Sequence, residues 1–379
     1  MAIEDLYGKV LALGAQTIRQ HTCLPMLVNN IPAGDREQAH SPGGVTEVIV
    51  PPEFASRDVV PGPTPPTSQS APAPSTVKVN LNYWKEVNFP LTEKQISLIE
   101  SADDQVPMFL ANAVSPIVED ITAAIAAQYK GIYGYIGTGG TTPFAATPTD
   151  AQNAKKVLTK QKCPKFMRRL VLNTDAYGNA TGLDAFARAL NFGSTEVIRE
   201  GEISHAYGFD WYEDVGLDDI NHSNPNGTPA GWLVNQANHA VDDTTVVIDT
   251  GDGPPVAGDI FTVAGDTQTY VVIGFGVGST LTYAPKAKVA WVNNAALTFK
   301  GDHAINLAFH PMAFAFDSRP AARLRIPGMT SSFMTWVDDM TGVVLRLEIR
   351  DEYHQTGFYL SCLWGAELVD ARLAARIAG

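Results

Sequence analysis

The spacing of apolar residues changes several times along the chain, and each change marks a new element. Ile3, Leu6, Val10 and Leu13 recur at three- and four-residue steps and outline a short amphipathic helix, which Gly8 and Gly14 weaken. A stretch punctuated by proline and glycine follows over 25–44. Residues 45–50 are apolar and β-branched. Val77, Val79, Leu81 and Tyr83 alternate with Lys78, Asn80 and Asn82, so both runs predict strands. Between them lie eight of the chain's 25 prolines, all within 51–74. Such a segment neither pairs nor packs well and predicts an exposed, partly extended loop tip. The two strands read as a long hairpin projecting from a body.

The strongest helical period comes next. Val106, Phe109, Leu110, Ala113, Val114, Ile117, Ile121, Ala124 and Ile125 recur at helical steps, with Asp103 and Asp104 at the start and a bend expected at Pro116. A helix over 106–129 spans roughly 35 Å at about 1.5 Å per residue, long enough to act as a spine. Residues 131–150 predict a loop, with Gly139 and Gly140 in a flexible joint. Helices are expected over 151–159 and 184–193, flanking a strand over 169–173. From 225 to 301 the helical period disappears. Short β-branched runs (244–249, 259–263, 269–273, 280–283, 296–299) alternate with Gly/Asp/Pro turns, as in a small inserted β-domain. Strands are expected again over 305–316, 343–351 and 357–364, with a short terminal helix or turn over 368–377.

Composition narrows the function. With 379 residues, 45% hydrophobic and 18% charged, the chain can bury a sizeable core. Its net charge of −13 argues against a dedicated nucleic-acid binder but suits a container that must not adhere to its contents. Cys23, Cys163 and Cys362 are far apart and read as free thiols of a reducing compartment. The start of the chain lacks the pattern of a secretion signal, no apolar run is long enough to cross a membrane, and neither a leader nor a span is expected.

Catalytic motifs fail on context. Asp249-Thr250-Gly251 resembles an aspartic-protease triplet, yet no second one supplies the partner carboxylate. Gly274-Phe275-Gly276-Val277-Gly278 is followed by a strand, and a dinucleotide loop requires a helix there. Gly137–Gly140 lacks the lysine of a phosphate loop. Asp103-Asp104, Asp218-Asp219, Asp242-Asp243 and Asp338-Asp339 are adjacent pairs that read as caps and turns. The eight histidines have no metal-ligand spacing. No catalytic, cofactor or metal site is therefore expected. One basic run, Lys155, Lys156, Lys160, Lys162, Lys165, Arg168 and Arg169, reads as a solvated face. Its alternative role is contact with packaged DNA or an acidic neighbour.

These features converge on an assembly subunit, and a family resemblance supports that reading. Residues 77–100 (VKVNLNYWKEVNFPLTEKQISLIE), the spine helix ending at Tyr129, and 154–173 (AKKVLTKQKCPKFMRRLVLN) carry it. So do Gly208–Asp214, Gly258–Gly265, Asn306–Ala315 and 342–377. In this order and spacing they resemble the P22 coat protein family of tailed-phage major capsid proteins, a branch of the HK97 fold, over some 330 residues of the chain. The proline-rich hairpin tip departs from the family pattern.

The resemblance implies an α+β HK97-like fold arranged as an N-terminal arm (1–40), extended hairpin loop (41–90), spine helix and start of the peripheral domain (91–140), α/β body (141–224), inserted β-barrel (225–301) and a return to the axial and peripheral domains (302–379). It implies pentamers and hexamers closing an icosahedral shell, with a T=7 lattice as the family's habit. The shell encloses double-stranded DNA without sequence-specific binding. The implied partners are a scaffolding protein and a portal, with a cement protein on the shell left open. Assembly is expected in the host cytoplasm, and the mature location is the virion capsid. The candidate assembly residues are Val77, Val79, Leu81, Tyr83 and Trp84 in the hairpin and the strand after it, the bend Pro116, the joint Gly139 and Gly140, and the basic pair Arg168 and Arg169. The alternatives are an encapsulin-like compartment of the same fold class, which would lack a large β-insertion, and a β-rich adhesin or tail protein, which would not explain the spine.

Overall fold

The computed structural model describes residues 23–30, 45–51, 56–59, 61, 75–98, 102–188, 196–237, 239–320, 332–338 and 340–379. The expected N-terminal helix, the arm base at 42–44 and most of the proline-rich tip lie outside them. In chain order come α1 (Leu24–Leu27), β1 (Asn29–Asn30), the hairpin β2 (Val45–Val50) and β3 (Ser75–Asn80), β4 (Tyr83–Thr92), α2 (Glu93–Leu98) and the long α3 (Ala102–Ala126). Next are β5 (Tyr135–Gly137), α4 (Thr149–Lys160), β6 (Arg169–Leu172), α5 (Thr174–Gly182), α6 (Asp184–Ala187), α7 (Glu196–Glu200), β7 (His205–Ala206), β8 (Phe209–Glu213) and β9 (Asn221–His222). A β-rich segment holds β10 (Leu233–Val234), β11 (Thr245–Asp249), β12 (Ile260–Val263), β13 (Tyr270–Gly276), β14 (Thr280–Ala284) and β15 (Leu297–Phe299). The chain closes with β16 (His303–Phe309), β17 (Phe314–Arg319), β18 (Ser332–Val337), β19 (Val344–Glu352), β20 (Gln355–Leu368) and β21 (Ala374–Ala378).

The first layer is an antiparallel sheet centred on β20, which pairs with β4 along one edge and with β19 and then β17 along the other; β18 pairs with β19. Alternation places Val87, Phe89, Leu345, Leu347, Phe358, Leu360 and Trp364 in the core shared with α3. The buried positions of α3, Val114, Ile117, Val118, Ile121 and Ile125, repeat at three- and four-residue steps, one stripe of a helix. Each fully buried aliphatic side chain contributes on the order of 2 kcal/mol through burial, so this stripe against the sheet is the main stabilising contact of the unit. The helix runs on through Pro116, which lies on its exposed side. The proline therefore does not end the element. The missing N–H leaves only a carbonyl one turn earlier to be satisfied, and packing of the opposite stripe holds the helix together.

The second layer is a mixed sheet in the order β5-β21-β16-β6-β8-β7, with α4 and α5 covering the face lined by Leu170, Leu172, Ala308 and Ile377. Two expectations change here. The apolar run 305–316 is two strands in two sheets, because His310-Pro311 starts a 3₁₀ turn in which His310 Nδ1 accepts from Met312 N–H at 3.3 Å. The terminal segment is strand β21, not a helix, entered through a second 3₁₀ turn in which Asp370 Oδ1 accepts from Arg372 N–H at 2.9 Å. The two turns bond to each other: Val369 N–H donates to Ala313 O at 2.8 Å, and His310 N–H donates to Leu373 O at 2.9 Å. Helix α5, absent from the sequence reading, begins at an Asn173 cap that accepts from Ala176 N–H. The N-terminal segment is tied down as well. Buried Asp214 accepts from Cys23 and Leu24 N–H at 3.0 and 2.8 Å, and β1 pairs in parallel with β17.

Strands β10 to β15 form one antiparallel sheet in the order β10-β11-β14-β13-β12-β15, and a bridge between Leu233 and Ala296 closes it into a barrel. Phe261, Tyr270, Tyr283, Trp291 and Phe299 fill it, and Trp232, Val246, Ile248 and Leu281 complete a core drawn only from this segment. Asp249-Thr250-Gly251 ends β11 in a turn, and Gly274–Gly278 is the β13–β14 hairpin.

The two connections between barrel and body run side by side, with His222 paired to His303 and Asn224 N–H donating to Asp302 Oδ1 at 3.1 Å. They are held by a buried polar joint. Asp259 accepts from His222 Nε2 at 2.7 Å, Asn224 Nδ2 at 2.9 Å and Val256 N–H at 2.8 Å. The Tyr129 hydroxyl at the foot of the spine lies 3.2 Å from His222 Nδ1. Arg376 of β21 is fully buried, donates to Ile132 O at 2.8 and 3.1 Å, and covers the Tyr129 ring at 5.3 Å. Burial pulls its guanidinium down to about 9, while Tyr129, Tyr135 and Asp259 act the other way. His303 donates from Nδ1 to Gly301 O at 2.8 Å, its Nε2 is buried without a partner, and burial holds its pKa at about 4.

Two outcomes follow. Residues 219–304 expressed alone are expected to melt cooperatively with dispersed amide NMR signals, because the core is internal and the ends are paired; a random-coil spectrum would count against this. For His303, the folded pKa of about 4 lies below the ordinary 6.5. The unfolded chain thus takes up the proton first, and stability that is complete above pH 6.5 declines as the pH falls towards 4, by on the order of 3 kcal/mol. Denaturant titrations at pH 7 and 4.5 should show a smaller acid loss for His303→Gln than for the natural chain; equal losses would remove His303 as the cause.

Candidate assembly surfaces

The hairpin is paired throughout, Val45 opposite Asn80 to Val50 opposite Ser75. One side faces the chain's own body. Val79 is fully buried with Ala315, beside Val48 and Val369, and Thr46 Oγ1 donates to Asp317 Oδ2 at 2.6 Å. Val77 is half-buried opposite Val48, and Leu81 is half-buried where the hairpin root crosses β20. A Cβ on Gly365 would stand 2.2 Å from Asn80 O, so only glycine admits the root at this point. Val79 therefore anchors the hairpin to its own subunit and does not offer itself to a neighbour. The outward apolar residue is Ile49, 68% exposed, which the alternation did not single out.

In β4 the pleat separates two aromatic neighbours. Tyr83 turns towards the α3 side and stacks on Trp364 at 5.8 Å, with Lys85 paired to Asp120 of α3 at 2.6 Å. Trp84 points to the other side and is 68% exposed. Register places Tyr359, Leu363, Phe333 and the alternating charges of β19 on that same side. There Glu348 accepts from Arg346 Nη2 at 3.0 Å and from Arg350 Nε at 2.7 Å. The two guanidinium groups lie over Phe333 at 5.1 Å and Tyr359 at 5.4 Å. This aromatic and charged face of β4, β18, β19 and β20 escaped the sequence reading, which registered only a polar alternation; cross-strand register creates it.

The expected joint is pinned. Residues 135–137 form β5 beside β21, Gly140 N–H donates to Gly379 O at 3.2 Å, and a Cβ on Gly139 would meet Asp302 O at 2.5 Å. Close approach, not flexibility, calls for glycine at 139. Arg168 is buried and donates to Pro164 O and Cys163 O, each at 2.7 Å, and to Thr159 Oγ1 at 3.2 Å. It therefore shapes its own loop and is withdrawn from any outside partner. Arg169 donates to Leu27 O and ties the N-terminal segment to the α/β unit. Pro116 remains exposed on the spine. Among the described residues no helix is long and apolar enough to cross a membrane.

No protein-family model matches the chain, and no curated protein matches its sequence. Solved structures do match in shape. One, of Mycobacterium phage Che8, is similar with a TM-score of 0.50 and 14% identity, covering 94% of this chain and 91% of that one. Another, the capsid structure of the cyanophage P-SCSP1u, gives a TM-score of 0.51 and 13% identity over 94% of this chain and 88% of the other. At these identities the likeness is one of fold, and the fold is the α+β, HK97-like arrangement of phage capsid subunits.

Proposed function

We propose that this chain is the major capsid protein of a tailed phage, a subunit that assembles into the icosahedral shell around double-stranded DNA. The observation that carries the reading is whole-chain agreement of fold with the cyanophage capsid subunit, at 94% coverage of this chain and 88% of the other. The geometry supports it. A paired hairpin, exposing Ile49, arises at the border of a sheet whose far face exposes Trp84 and Phe333, so apolar groups stand at surfaces where a second copy would bury them. Hairpin and sheet offer backbone edges as well as side chains to such a neighbour.

The spine, its sheet and the α/β unit share a continuous core, so pentamers and hexamers are expected to keep this body unchanged. The resemblance to the P22 coat branch adds a scaffolding protein and a portal as partners, and assembly in the host cytoplasm. No catalytic role is assigned. His222, Asp259 and His303 belong to the barrel joint, where their bonds have a structural use.

Purified chain at micromolar concentration, viewed by cryo-electron microscopy, is expected to form closed shells with both five- and six-fold capsomers. Discrete small oligomers or open helical arrays would refute the reading. Within it, Ile49→Asp and Trp84→Ser should each leave the melting temperature within a few degrees of the natural value, since both sites are exposed, while lowering shell yield severalfold. Shell yields equal to the natural chain's would remove these two residues from the interfaces.

A further inference from the structure

The α/β unit carries two charged surfaces that have no use within the chain. The first is the loop from α4 to β6. Residues 154–169 hold seven basic side chains and no acidic one, in a chain whose net charge is −13. Lys155, Lys156, Lys160, Lys162 and Lys165 are exposed, and among the described residues none forms an ion pair. The loop is built to hold a shape. Arg168 ties its backbone from inside with the three bonds described above, and Lys162 and Met167 are held at φ 62° and 54°. Left-handed backbone at a bulky residue is strained, and persists where the surroundings enforce it. The result is a knob. Phe166 is 66% exposed with its edge on His310 at 5.7 Å, and Met167 and Met312 are also exposed beside it.

The second surface is a cleft of about 670 Å³ where β8 passes beyond its short pairing with β7, lined by Tyr177, Trp211, Glu200, Glu202, Asp210 and Glu213. The three glutamates are exposed and, among the described residues, form no ion pair. The knob precedes the N-terminal end of β6, and the cleft extends from Asp210 to Glu213 along β8, the strand parallel to β6. A patch and its complement at two different places on one body suit a head-to-tail contact between copies, and such contacts close into rings when the rotation allows.

We infer that the basic knob of one copy seats in the acidic cleft of a second copy, joining neighbouring α/β units. This rests on the capsid reading and names a contact that it leaves open. Lys162 and Lys165 face Glu200 and Glu202 and set orientation and register, as charge complementarity does at interfaces. Phe166 and Met167 reach between the aromatic walls of Tyr177 and Trp211 and supply the buried apolar centre. A duplex-DNA partner fits the knob less well, because phosphates would meet its lysines but leave two large apolar side chains at the centre of the patch without cover.

The test uses the full chain with Lys162→Glu/Lys165→Glu, with Glu200→Lys/Glu202→Lys, and with all four changes together. Sedimentation and electron microscopy measure assembly, and thermal melts confirm folding. Each double reversal should slow assembly by roughly tenfold or more at low salt with an unchanged melt, and the fourfold variant should recover most of the natural rate. Either double variant assembling at the natural rate, or a fourfold variant no better than its parents, overturns the inference while the capsid reading stands. Shells that form normally from the lysine variant but retain less duplex DNA would make DNA the partner and overturn it too. A natural chain that stays monomeric at micromolar concentration overturns both.

Discussion

The architecture depends on the place where the chain twice changes sheets. β16 passes into β17 through the turn at Pro311–Ala313, and β20 passes into β21 through the turn at Ala371–Leu373. The two turns exchange backbone bonds, Val369 to Ala313 and His310 to Leu373. Each turn opens with a side-chain acceptor, His310 or Asp370, which meets an N–H that the first residues of a helical turn leave without a partner. Because both strands of each sheet are fixed at the same crossing, rotation of one sheet against the other would break the three backbone bonds that join the turns, Val369 and Asp370 to Ala313 and His310 to Leu373. The long helix, packed on the first sheet and ending beneath the second, spans this crossing and inherits its rigidity.

The barrel is attached by different physics. Its core is apolar and self-contained, but its foot is polar: Asp259, His222, Asn224, Tyr129 and Arg376 meet in a space nearly closed to water. Buried ionic groups of this kind contribute little net stability compared with apolar packing, and removing one partner is strongly destabilising. Their effect is directional. The hydrogen bonds of Asp259 are satisfied in one orientation of barrel against body, so the polar foot specifies an angle that an apolar contact would leave free to slide.

The surfaces left over are arranged at the borders. Strand pleating sorts Tyr83 onto the α3 side, against Trp364, and Trp84 onto the opposite face from adjacent positions, and sorts Val48 and Val79 onto the body while Ile49 faces away. Where a side chain looked available for assembly, the fold often had a prior use for it: Val79 fastens the hairpin, Arg168 braces a loop, and Gly139 lies against a carbonyl. The exposed apolar residues, Ile49 and Trp84, are those that remain after the chain's own packing is complete.

Much of this was legible in the chain itself. The helical period at Val114, Ile117, Ile121 and Ile125, the two-residue period of β3 and of β19, and the turn-punctuated barrel strands are local patterns, and a stripe or pleat must bury the same face whatever lies opposite. The α+β class and the long spine followed from them. Tertiary structure alone decided the rest, because those features arise from residues distant in sequence. The run 305–316 divides between two sheets since its partners, β6 and β21 on one side and β20 on the other, lie far along the chain. Residues 374–378 are a strand because β5 and β16 receive them, despite a composition equally suited to a helix. The helix continues through Pro116 because a packed stripe on the opposite side holds it together. The joint of Asp259, His222 and Arg376 joins positions up to 154 residues apart (222 and 376), and only the folded chain brings them within reach, since no periodicity encodes a contact between segments that meet after the sheets have formed.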